Sequence, residues 1–183
     1  MTQDSDLNEL FGPPLKPAYI REAERSGQFS NTFALDSISG RYLNELLEFA
    51  GTYPTFKDLA FNLCFLWAVD ETGQIWITME EVCLLTQLGK RFPRMRNMPL
   101  DASLEALGHP LLVNRGVARI AGEMMFDDED SWMHWVINNK SGRYGFEIRP
   151  VWIWPVSRSC PPGKRGFGIL RGWGDRRNRL YCR

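Results

Sequence analysis

Residues 108–144 read GHPLLVNRGVARIAGEMMFDDEDSWMHWVINNKSGRY, and this stretch decides the fold class. Val117–Phe126 and Trp132–Asn138 are dense in β-branched and aromatic residues, which fit the pleated, half-buried surface of a sheet. Leu111–Val113 before them and Tyr144–Trp154 after them have the same character. Turn chemistry separates the four runs: Asn114-Arg115-Gly116, Asp127 to Ser131, and Asn139 to Gly142. Runs this close in sequence pair as antiparallel hairpins.

Working outward toward the N-terminus, Phe61–Val69 and Gln74–Thr78 flank Asp70-Glu71-Thr72-Gly73 and predict a further hairpin, with Trp76 covering a second apolar cluster. Thr78-Met79-Glu80-Glu81 has the form of a capping box and predicts a helix from Met79 to Leu88, closed by Gly89. A basic loop with Lys90, Arg91, Arg94 and Arg96 follows, then a short helix from Asp101 to Leu107. Tyr42–Ala50 is expected to be helical, with Leu43, Leu46, Leu47 and Ala50 on one face and Gly51 at the stop. Residues 1–40, with Pro13, Pro14 and Pro17, read as a flexible arm. Residues 157–183 contain Pro161, Pro162 and five glycines and read as a mobile basic tail. The expectation is therefore an α+β domain over 41–156, built on an antiparallel sheet of five to seven strands with a few short helices.

The chain has 183 residues and no net charge, 22 basic against 22 acidic groups, but the charge is unevenly placed. The tail holds eight Lys or Arg and one acid, Asp175, so the first 156 residues carry an acidic excess of seven. Such asymmetry permits an intramolecular contact or an anionic partner. The N-terminal residues lack a basic region followed by an apolar stretch, and the longest apolar run, Leu59–Val69, is too short to span a bilayer. With four cysteines and no CxxC spacing, a reduced, soluble, cytoplasmic protein with no membrane association is expected.

Three blocks carry the chemistry: Gly108-His109-Pro110, Ala121-Gly122-Glu123 and Ser141-Gly142-Arg143-Tyr144. Gly122 inside a strand marks a bulge or a close backbone approach, and it could aim Glu123 into a cleft. His109, Glu123, Arg143 and Tyr144 are the candidate catalytic residues. Arg119, Asn138, Ser141 and Arg143 are the candidate ligand contacts on the same sheet surface. The pattern GHP…AGE…SGRY resembles an uncharacterised bacterial module of toxin- and effector-associated proteins. A looser form is similar to a block in plant IQ-motif calmodulin-binding proteins. The resemblance implies a shared fold; alongside it a protein partner is expected, and a cytoplasmic protein or one exported without a signal peptide. It implies no particular reaction.

The leading expectation is a binding module without a cofactor, contacting a protein or small ligand through this patch. The alternative is an NAD-consuming enzyme, ADP-ribosyltransferase-like or a glycohydrolase, with an aromatic ring on the nicotinamide and Glu123 stabilising oxocarbenium character. In the structural reading, Arg143 pairs with Glu123 or an Asp while Tyr144 packs. A second alternative is nucleic-acid binding through Arg171, Trp173, Arg176 and Arg177 of the tail. No metal is expected: His109 and His134 lack ligands at metal-binding spacing, and the run Asp127–Asp130 lacks the glycine and terminal acid of a calcium loop. Ser-Gly-Arg-Tyr also occurs at 39–42, where the flanks predict a helix, and the repeat is read as coincidence.

Overall fold

A computed structural model describes residues 3–87, 89–127, 134–144 and 180–181. In chain order the elements are α1 (Gln3–Phe11), α2 (Glu22–Ser26), β1 (Phe33–Ala34), α3 (Ser37–Thr52), α4 (Pro54–Asn62), β2 (Cys64–Asp70), β3 (Ile75–Met79), β4 (Glu81–Leu84), β5 (Arg91–Pro93), β6 (Leu104–Ala106), β7 (Ala118–Asp127), β8 (His134–Ile137) and β9 (Leu180–Tyr181). The fold is α+β. One antiparallel sheet has six strands in the order β1-β3-β2-β7-β8-β9, and a smaller one has the order β5-β4-β6. No helix among the described residues is long and apolar enough to cross a membrane.

The β2–β3 hairpin forms as its sequence dictates, with Gly73 at φ +89° in the turn and Trp67 opposite Ile77. Alternation then divides β2 between two cores. Phe65, Trp67 and Val69 point to the larger core, where Phe11 of α1, Leu43 and Ala50 of α3, and Ala60 of α4 meet Ile120, Met124 and Phe126. Leu66 and Ala68 point to the opposite face, covered by Leu112, Ala121, Tyr144 and the half-buried Trp76. A strand buried on both faces needs an almost continuous apolar run, which CFLWAV supplies.

Several local expectations are overturned by tertiary pairing. The capping box opens no helix: Thr78 is buried in register with Leu66, and the next residues form β4. The Glu80 carboxylate turns to Arg94 at 2.6 Å instead of to a helix start. Asp101 caps a turn rather than a helix, accepting from the Ser103 amide at 2.7 Å, and β6 pairs with β4. His109–Val113 is a 3-10 helix with Pro110 in its first turn, not a strand; Asn114 and Arg115, at φ 49° and 64°, end it. Helix α3 continues through Gly51 to Thr52. Intrinsic propensity is worth at most about 1 kcal/mol per residue here, less than the burial each of these segments gains by pairing.

The stretch expected to be a flexible arm carries α1, α2 and β1. Arg119, almost wholly buried, reaches Asp4 and Asn8 of α1 at 2.5 Å each and the Gly12 carbonyl at 3.1 Å. At the other end, Leu180–Tyr181 pairs with β8 where an irregular tail is expected. The strand expected over Tyr144–Trp154, beyond Tyr144, lies outside the described residues, as do Arg171, Trp173, Arg176 and Arg177.

Candidate functional site

The three sequence blocks do come together, as one polar chain of contacts. Its anchor is Glu24, which is fully buried. One carboxylate oxygen accepts from the Gly108 amide at 2.9 Å and Arg143 Nη2 at 3.0 Å; the other accepts from the Arg21 amide at 2.8 Å and Arg143 Nη1 at 2.7 Å. This two-pronged geometry suits guanidinium and carboxylate. Arg143 also donates to the Tyr19 carbonyl at 3.1 Å and stacks on the Tyr19 ring at 4.0 Å.

From Arg143 the chain of contacts continues through Ser141. Its hydroxyl accepts from the Arg143 amide at 3.3 Å and lies 3.3 Å from His109 Nδ1. His109 Nε2 is 2.9 Å from the Gly122 carbonyl. A carbonyl can only accept, so Nε2 carries the proton and Nδ1 accepts from Ser141. Burial pushes the imidazole pKa down against the opposing effects of Gly122 and Glu123, so the ring is neutral.

Gly122 is the junction with β8. A side chain there would put its first carbon 1.9 Å from the Asn138 carbonyl oxygen, so only glycine lets that carbonyl cross over β7. The same carbonyl accepts from the Trp67 indole at 3.0 Å. Asn138 then closes on its neighbour: its side-chain oxygen accepts from the Glu123 amide and its side-chain nitrogen donates to the Glu123 carboxylate, both at 3.2 Å. Gly108 has a similar reason for being glycine, since a side chain would meet Glu24 Oε1 at 2.9 Å. Tyr144 packs in the second core and donates to the Gly116 carbonyl at 3.0 Å.

Of the candidate residues, His109, Arg119, Ser141, Arg143 and Tyr144 are buried, and Glu123 and Asn138 are half-buried. Arg143 pairs neither with Glu123 nor with an Asp but with Glu24. That acid lies 119 positions away, in a segment whose prolines argued against regular structure. The available signal was Glu24 itself, the third residue of a short helix reaching back to the Arg21 amide. Arg119 is tied to α1 and lies apart from this network.

Glu123 also faces Cys64 and Glu80. Burial raises the Glu80 carboxyl pKa, opposed by Arg94 and reinforced by Glu123. Burial, with Glu80 and Glu123, pushes the Cys64 thiol well up, the reverse of what a thiolate nucleophile requires. Among the described residues no three His, Cys, Asp or Glu side chains are placed to hold a metal ion.

A different surface stands out by exposure. Ile38, Tyr42, Phe49 and Tyr53 are 57%, 59%, 48% and 52% exposed, all along α3 or at its end. At about 100° per residue they fall within a wedge of about 60°, beside the buried Leu43 and Ala50. Phe49 contacts the rings of Tyr53 at 4.6 Å and Phe56 at 4.7 Å, which holds the stripe in place. Compared with known proteins, the chain matches no family model, no curated protein and no solved structure.

Proposed function

We propose that this chain is a protein-binding module whose contact surface is the outward face of the α3–α4 hairpin. The observation that carries the reading is the aromatic stripe: four large apolar side chains, each about half exposed, share one helical face. Scattered exposed apolar residues are ordinary on a protein surface; an aligned row on one rigid element characterises a contact site. Leu59 of α4, 47% exposed, adds to the apolar area of the same hairpin.

The motif blocks support a non-catalytic role. His109, Ser141 and Arg143 are engaged with Gly122, one another and Glu24, so a nicotinamide nucleotide would have to displace bonds that hold the fold. The effector- or toxin-associated setting suits a binding role and rests on the motif resemblance alone.

Site-specific photo-crosslinking in cells that make the chain tests this reading. A benzophenone side chain at position 42 or 49 is expected to capture a protein adduct, and one at the exposed hairpin residue Glu71 is not. Adducts that form equally at all three positions, or at neither stripe position, overturn the reading.

A further inference from the structure

We infer that a cleft beside the smaller sheet is a binding site for a small oxyanion, a carboxylate or a phosphate, held by Arg91. The cleft has a volume of about 240 Å³. At about 30 Å³ per water this is room for roughly eight waters, or for a ligand of about ten non-hydrogen atoms. Ala23 and Ser26 of α2 and Gln28 beyond it form one wall; Cys83 of β4, Gly89 and Arg91 of β5 form the other. Cys83 is buried whereas Ser26, Gln28 and Gly89 are exposed, so the thiol lies at the floor and the neutral donors Ser26 and Gln28 at the mouth. No residue of the α3–α4 face takes part.

The charges around the cleft select the ligand. Among the described residues that line it, Arg91 alone is charged. A guanidinium cannot shed its proton at any working pH, so the charge needs a partner. Arg91 has no ion pair among the described residues, and its Nη1 is buried without a hydrogen-bond acceptor. The neighbouring acceptors are engaged elsewhere. Cys83 is opposite both Arg91 and Glu105, which sets the three in one row across β5, β4 and β6. Glu105 is held by Arg21 at 3.7 Å. At the end of α2, the Glu24 carbonyl accepts from Arg115 Nε at 2.7 Å and the Gly27 carbonyl accepts from Arg115 Nη2. Glu81, two residues from Cys83, accepts from the Ser30 amide at 3.0 Å through Oε1, while its Oε2 is buried without a partner and is the one internal rival for Arg91. An oxyanion seated in the cleft would neutralise the guanidinium and offer Nη1 the acceptor it lacks, in the two-pronged geometry that guanidinium favours.

Thermal melts of the purified full chain at constant ionic strength test the inference, with about 10 mM sodium benzoate, sodium phosphate or neutral benzamide added. With a dissociation constant on the order of 1 mM, the fitting anion should raise Tm by about 3 to 6 °C and benzamide should leave it within about 0.5 °C. A rise with benzoate assigns the ligand as a carboxylate, and a rise with phosphate assigns it as a phosphate. Arg91→Met should abolish the rise without lowering the Tm of the unliganded chain, because no ion pair is lost. Gln28→Glu, at an exposed position, places a negative charge at the mouth and should weaken binding about tenfold, cutting the rise to about 1 °C. This variant decides the matter if Arg91→Met does not fold. No rise with either anion, as expected if Arg91 turns to Glu81 Oε2 in solution, overturns the inference. So does a rise that benzamide reproduces, or one that survives undiminished in the variants.

Discussion

Replacing Glu24 with alanine leaves Arg143 buried without its carboxylate. Four hydrogen bonds disappear: two to Arg143, at 2.7 and 3.0 Å, and one each from the amides of Arg21 and Gly108, at 2.8 and 2.9 Å. Removing one partner of a buried ion pair costs about 3–5 kcal/mol, against a total stability of about 5–15 kcal/mol for a domain. Arg143 keeps the Tyr19 carbonyl and ring, which favours the lower half of that range. With a urea m-value of about 2 kcal/mol/M, the unfolding midpoint should fall by roughly 1.5–2 M at unchanged slope. Tryptophan fluorescence in urea at pH 7 measures this directly. The double variant Glu24→Leu with Arg143→Met removes both charges and should be more stable than Glu24→Ala alone, because no unpaired ion is then buried. A midpoint change under about 0.5 M for Glu24→Ala, or strict additivity in the double-mutant cycle, would refute the view that this pair anchors the motif.

Other residues give sharper contrasts. Burial holds the His109 pKa below the ordinary histidine value of 6.5, so its neutral form stabilises the fold fully above pH 6.5. As pH falls below 6.5 the unfolded chain takes up the proton first, and stability should drop by at most about 1.4 kcal/mol per pH unit. His109→Gln should flatten that part of the profile, and a variant profile parallel to the wild type would count against the assignment. Gly122→Ala must push the Asn138 backbone aside and should cost about 3 kcal/mol or more, whereas Gly142→Ala, with open space around it, should stay within about 0.5 kcal/mol. Thermal melts of the two variants decide this, and equal effects would sink it. In a Cys160→Ser, Cys182→Ser background, Cys64 and Cys83 should react with a disulfide reagent only as fast as the chain unfolds; rapid labelling without denaturant contradicts their burial.

The sheet was legible where two signals agreed. β2, β3 and β7 combine β-rich composition with strong turn chemistry, and each forms close to where the residues place it. The misassigned segments share one cause. Thr78-Met79-Glu80-Glu81 and Asp101 carry real local helix-start chemistry, and Asp101 still caps a turn at Ser103, but the segments they open pair far away: the Glu80 amide donates to the Cys64 carbonyl and the Leu107 amide to the Glu81 carbonyl. Only the pairing of distant strands reveals this. His109, Ser141 and Arg143 do meet, and Gly122 is the point of close approach that its place in a strand suggested, whereas Arg119, grouped with them on sequence grounds, is tied to α1. What the chain could not disclose was that the proximity is used internally, because the decisive partner, Glu24, is an unremarkable acid in a proline-bounded stretch. The α3 stripe was missed for a related reason. Leu43, Leu46 and Ala50 marked the inner face, and Ile38, Tyr42, Phe49 and Tyr53 draw notice only once the outer face is known to be bare.

The bond between Glu24 and Arg143 spans 119 positions, and this separation governs how the molecule is made. During synthesis the Glu24 carboxylate can meet the Arg21 and Gly108 amides early, but its charged partner arrives only when residue 143 has left the ribosome. Closing so long a loop is entropically slow, and the last piece of the motif arrives after both cores have most of their material. Completion of the ion pair is therefore a late event, and a nascent chain halted before Arg143 leaves the Glu24 carboxylate with backbone amides but no counter-charge.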